Sequence, residues 1–135
     1  AGIKIQVGGH GQLQGLGTVW EMWMLTQGGM TPWEALRAGT IDGADYIGYS
    51  QDLGSIEVGK RADLVVVNGN PIENIRTIAD TAMVMVNGRL FDSATMAEIG
   101  NQQRPAPIFF WQRGEGVSGE SLGLQSGPSA HADSD

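Results

Sequence analysis

Residues 3–17, IKIQVGGHGQLQGLG, place the strongest condition on how this chain can fold. Ile3, Ile5 and Val7 alternate with Lys4 and Gln6, the two-residue period of a strand with one buried face. Gly8 and Gly9 end that pattern, His10 stands among glycines, and Gly11, Gly15 and Gly17 leave the loop almost free of side-chain bulk. Leu13, Leu16, Trp20, Trp23, Met24 and Leu25 then recur at helical spacing as far as Gly28-Gly29, predicting an amphipathic helix. In such strand–turn–helix units of α/β folds, ligands gather at the carboxyl end of the strand. His10 is therefore the first candidate for chemistry, because the other histidine, His131, falls in a polar tail. Gln12 and Gln14 share its loop and are candidates for touching a substrate. The competing reading of His10 is a turn histidine bonded to nearby backbone.

Downstream, Thr31-Pro32-Trp33-Glu34 predicts a helix start in which the threonine and glutamate side chains cap each other's backbone. Thr40 is expected to cap a second short helix through Ala44 and Ile47, closed by Gly48. The small residues Ala35, Ala38, Gly39, Gly43 and Ala44 imply close packing of these helices. The period then changes. Residues 54–60 form a short alternating segment with a turn, and Leu64-Val65-Val66-Val67 reads as a buried strand. Residues 72–78 can hold one helical turn. Asn87-Gly88, between two apolar runs, predicts a two-residue hairpin. Residues 95–99 read as a short helix and residues 108–111 as an exposed aromatic cluster. From Arg113 onward there is little to bury, and the tail is expected to be disordered.

Composition narrows the function. The net charge of −7, with eight scattered Lys and Arg residues, argues against nucleic acid. The absence of cysteine excludes disulfides, zinc–thiolate sites and cysteine nucleophiles, and is compatible with any redox compartment. No run of 18 apolar residues is present to span a membrane. The glycine spacing does not match a dinucleotide loop, and Ser55, Ser93 and Ser118 have no histidine partner in range. Glu34 is assigned to capping, Asp63 to turn amides, Glu21 to solvent, and Trp20, Trp23 and Trp33 to the core. The chain enters its first strand from Ala-Gly without an initiator methionine or signal peptide, and so reads as part of something longer.

Three blocks then carry a resemblance: MTPWEALRAGT at 30–40, GSIEVGKRADLVVV at 54–67 and VMVNGR at 84–89. Together they resemble the carboxyl-terminal end of the amidohydrolase superfamily, in its imidazolonepropionase- and prolidase-like branch. Gly9-His10-Gly11-Gln12 and Glu21-Met22-Trp23-Met24 look like proteins that join a TolB-like propeller to an amidohydrolase domain. The resemblance implies an α/β fold: the last strand and helices of a (β/α)8 barrel at 1–53, strands of a small β-sandwich at 54–111, and a tail at 112–135. It implies a parent that hydrolyses C–N bonds of cyclic amides or peptide-like substrates through a water activated by a divalent metal, most simply zinc. Most members end the eighth strand in a metal-binding aspartate; His10 lies at or next to that place, and imidazole is also a good zinc ligand. His10 is thus both the catalytic and the metal candidate. Val19 stands where a histidine is expected, and Trp33 replaces a smaller or polar residue. The other ligands would lie in a missing amino-terminal part. The chain alone is accordingly expected to be inactive, to hold little or no metal, and to self-associate through unpaired strand edges. The alternative is a non-catalytic relic or small interaction domain using its tryptophan helix as a partner surface.

Overall fold

The computed structural model describes residues 3–9, 13, 15–109 and 112. His10, Gln12, Gln14, the Phe110-Trp111 half of the aromatic cluster and the tail from 113 lie outside the described residues.

The first helix, α1 (Leu16–Gln27), starts after Gly15 at φ 83° and ends at Gly28. The second, α2 (Pro32–Ala38), has the capping box that its sequence predicts. Glu34 N–H donates to Thr31 Oγ1 at 3.3 Å, and Thr31 N–H donates to the Glu34 carboxylate at 2.8 Å. The third, α3 (Ile41–Tyr46), departs from expectation at its start, where Thr40 makes no side-chain cap. Its hydroxyl instead donates to Leu36 O at 2.7 Å, back into α2. The small residues do pack closely: Ala35, Ala38 and Ala44 are buried. Gly54, at φ +92°, lies against α3 so tightly that a Cβ there would stand 2.9 Å from the Ile41 Cα.

The second half is one antiparallel sheet in the order β1 (Leu64–Val67), β2 (Thr81–Val86), β3 (Arg89–Asp92), β4 (Glu98–Ile99), β5 (Gln103–Arg104). The β2–β3 hairpin forms as predicted, with Val86 opposite Arg89 and Asn87 at φ 49°. Asp63 does bond turn amides: its carboxylate accepts from Asn87 N–H at 2.6 Å, beside the Gly88 N–H to Ala62 O bond of 3.0 Å. A short 3₁₀ helix, Ile75–Ala79, supplies the helical turn between β1 and β2 and touches both α1 and β1. Ile78, on that helix, is the largest buried apolar side chain among the described residues, and Arg76 stacks on the Trp23 ring at 4.9 Å.

Three expectations need correction. Residues 3–9 form no strand, because a strand exists only through a partner and none of the described strands lies beside them. The strand β1 is not buried: it is an edge of the sheet, and Val65 is 61% exposed. Residues 95–99 are not helical, since the Asp92 carboxylate accepts from Thr95 N–H and Oγ1 and turns the chain into β4. The segment 54–60 contains the turn expected of it, closed by Ser55, Glu57 and Lys60 bonding one another. The described strands make one sheet, so the two layers of a sandwich are not both present among them.

One buried charge holds the end of the sheet. Glu98, 6% exposed, accepts from Arg89 Nε at 3.1 Å and Nη2 at 2.9 Å. The Arg89 hydrogen bonds hold the Glu98 carboxyl below the usual carboxylate range, against the opposing effect of burial. The Thr95 hydroxyl and amide lower Asp92 in the same way. Both groups therefore stabilise the fold above the ordinary carboxylate pKa of about 4, and that contribution is lost as the pH falls through their folded values. Urea midpoints measured against pH should fall on the acid side, and Glu98→Gln should flatten that fall.

Candidate active-site turn

The segment that leads into the predicted site is held from three sides. Lys4 Nζ donates to Asp45 Oδ2 of α3 at 2.6 Å. The pair shifts both groups apart: hydrogen bonding to Asp45 raises Lys4, and hydrogen bonds from Lys4 and Ser50 lower Asp45. Val7 N–H donates to Ala38 O, at the end of α2, at 3.2 Å. Gly8 N–H and Gly9 N–H donate to the two carboxylate oxygens of Glu21 on α1, at 2.8 and 3.0 Å. What sequence alone reads as a sheet ladder is thus replaced by contacts to three helices.

Glu21 is the site residue that sequence reasoning misassigned to solvent. It is half-buried on α1 with both oxygens bonded to main chain. The only signal for it was an acidic residue off the apolar face of a helix that follows a glycine turn. Gly9 itself is required: its φ is +56°, and a Cβ would stand 2.7 Å from Thr18 Oγ1.

His10, Gln12 and Gln14 follow this anchored segment in sequence and lie outside the described residues. The three tryptophans do not form a core. Trp20 and Trp33 are exposed, and Trp23 is half-buried with its indole N–H enclosed and without a partner among the described residues. The reason is that α1 has no buried residue, its apolar face exceeding what α2 and the 3₁₀ helix cover. Ser55 bonds to Glu57 and Lys60, which makes it a turn lock and not an activated nucleophile. A shallow depression of about 420 Å³ between β4 and β5, lined by Ala97, Glu98, Ile99, Gln103, Arg104 and Pro105, contains none of the predicted site residues.

A zinc centre needs about three protein ligands, and among the described residues no three His, Cys, Asp or Glu side chains converge to hold an ion. The described residues therefore do not by themselves fit a metal site. What the turn offers is a main-chain segment ahead of position 10 whose Gly8 and Gly9 amides are both bonded to Glu21.

Residues 14–91 match the amidohydrolase family, from the entry to α1 through β3. The chain is 41% identical over 64 residues to a 5′-deoxyadenosine deaminase of Methanobrevibacter smithii, a match covering 47% of this chain and 14% of that protein. It is 60% identical over 40 residues to an imidazolonepropionase of a Geobacillus species, covering 30% of this chain and 9% of that protein. Among solved structures, it is similar to a Xaa-Pro dipeptidase with methionine bound in its active site. That match has a TM-score of 0.62 and 35% identity, over 68% of this chain and 23% of the other. Phenylurea hydrolase B gives a TM-score of 0.55 and 32% identity, over 58% of this chain and 17% of the other. The chain thus spans less than a quarter of the length of these proteins.

Proposed function

Because this chain belongs to the amidohydrolase family, we propose that it is the carboxyl-terminal portion of an enzyme that hydrolyses a carbon–nitrogen bond in a cyclic amide or a peptide-like substrate. The observation that carries this reading is the family match over residues 14–91, which takes in all three helices and the β2–β3 hairpin as one unit. Similarity to imidazolonepropionases and to a Xaa-Pro dipeptidase favours substrates of that amide type.

In this reading, residues 1–53 complete the wall of a (β/α)8 barrel, 54–111 contribute to a small β-sandwich, and 112–135 are a tail. His10 is one ligand of a divalent metal, with zinc favoured by its imidazole; the other ligands come from protein outside these 135 residues. When bound, such an ion supplies Lewis-acid chemistry. The chain's own work is positional. His10 follows the Gly8–Gly9 turn in sequence, the side-chain amides of Gln12 and Gln14 offer donors and acceptors to an amide substrate, and everything after Gly28 is scaffold.

The test is metal content and amide hydrolysis of the longer enzyme, compared with the 135-residue chain. The longer enzyme should hold metal and turn over; the chain alone should do neither and should self-associate. A longer enzyme that is metal-free and inactive on every amide offered would overturn the proposal. It would favour the second reading, an interaction domain, to which the exposed Trp20 and Trp33 lend support.

A further inference from the structure

We propose that Glu21 is a positioning residue, whose carboxylate clamps the consecutive amides of Gly8 and Gly9 and so sets the direction in which the chain enters His10. This rests on the reading of His10 as a site residue. Two adjacent backbone N–H groups turned toward one point form a concave, anion-binding arrangement. Here a side chain of the same molecule fills it, one carboxylate oxygen to each amide at 2.8 and 3.0 Å. Bonds from N–H groups to an ionised carboxylate are stronger than neutral ones.

Glu21 stands on a helix of 12 residues and is itself half-buried, while the glycines it binds are exposed. Thr18, three residues earlier and on the same helix face, closes the space beside Gly9, where a Cβ would meet its Oγ1 at 2.7 Å. One face of α1 thus reads the turn twice: it admits only glycine at position 9 and binds that glycine's amide. Upstream, the Val7 N–H bond to Ala38 O, 3.2 Å, ties the same segment to the end of α2. Each Glu21 oxygen is engaged by one turn amide. Glu21 acts through the turn.

The test begins on the 135-residue chain, by amide exchange and nitrogen-15 NMR. Gly8 and Gly9 amides should be protected. Glu21→Ala should expose both, while Glu21→Gln, which turns an NH2 toward one of them, should cost one amide roughly tenfold in protection. The ring resonances of His10 should shift in both variants, with the Asn87-Gly88 hairpin amides unchanged as the control for folding. In the longer enzyme, Glu21→Gln should lower kcat by about 10–100-fold, the usual cost of losing an outer supporting group, with KM nearly constant. Unchanged Gly8 and Gly9 exchange in Glu21→Ala would overturn the clamp. Lost protection with His10 resonances and kcat both unmoved would overturn its positioning role. If instead His10→Ala leaves kcat and metal content intact, while Glu21→Ala frees the amides and moves the His10 ring, the clamp stands and the reading of His10 falls.

Discussion

Replacing His10 by alanine in the longer enzyme is expected to strip divalent metal and to lower turnover by more than the roughly 10–100-fold that loss of an outer-shell group costs. The expectation follows from what else this chain could offer. It has no cysteine, and its other histidine is in the tail. The carboxylates near the helices are already committed: Glu21 to the Gly8 and Gly9 amides, Glu34 to the α2 cap, Asp45 to Lys4 and Ser50. Those of the sheet are committed as well, Asp63 to the hairpin and Glu98 to Arg89. Among the described residues no three such groups converge to hold an ion in place of the imidazole. His10→Asp, which keeps an ionised ligand at the position, should retain part of the metal. Elemental analysis and steady-state kinetics on the three proteins decide it, and wild-type metal content and turnover in His10→Ala would remove His10 from the site.

Ile78→Ala is expected to lower the unfolding free energy by about 3 kcal/mol, within the range for deleting a buried isoleucine side chain. That is a large share of the roughly 5–15 kcal/mol that holds a domain together. Ile78 is 8% exposed and sits on the 3₁₀ helix that touches both α1 and β1. Truncating it opens a cavity at the junction between helices and sheet; the other buried apolar residues among those described are alanines of α2 and α3. Urea unfolding monitored by tryptophan fluorescence measures it, since Trp23 lies under Arg76 of the same 3₁₀ helix. Ile78→Val, which removes a single methyl, should cost only about 1 kcal/mol. Equal midpoints for Ile78→Ala and the wild type would show that this junction does not bear the load assigned to it.

The features legible in the sequence are those whose partners lie a few residues apart. Thr31 and Glu34 cap one helix within one turn, and Asn87-Gly88 can take the backbone angles a tight hairpin needs without help from elsewhere. The three clustered alanines were legible as well, because a small side chain implies close approach whatever the neighbour is. Residues 3–7 misled for the opposite reason. Alternation says that a segment could pair in a sheet, but not whether a strand lies beside it. The same holds for the apolar run Leu64–Val67, which became an edge strand, and for Asp92, whose capture of Thr95 turned a predicted helix into a strand.

Local chemistry thus determined the caps, the hairpin, the helix of the tryptophans and the candidacy of His10 by residue type alone. Only the tertiary structure decided what anchors the turn before it. Glu21 is 12 and 13 residues from the two amides it binds, and Ala38, which receives the Val7 amide, is farther still. Nothing in a local pattern encodes such pairings. They arise because the packing of α1 and α2 brings the Glu21 carboxylate and the Ala38 carbonyl within reach of these amides.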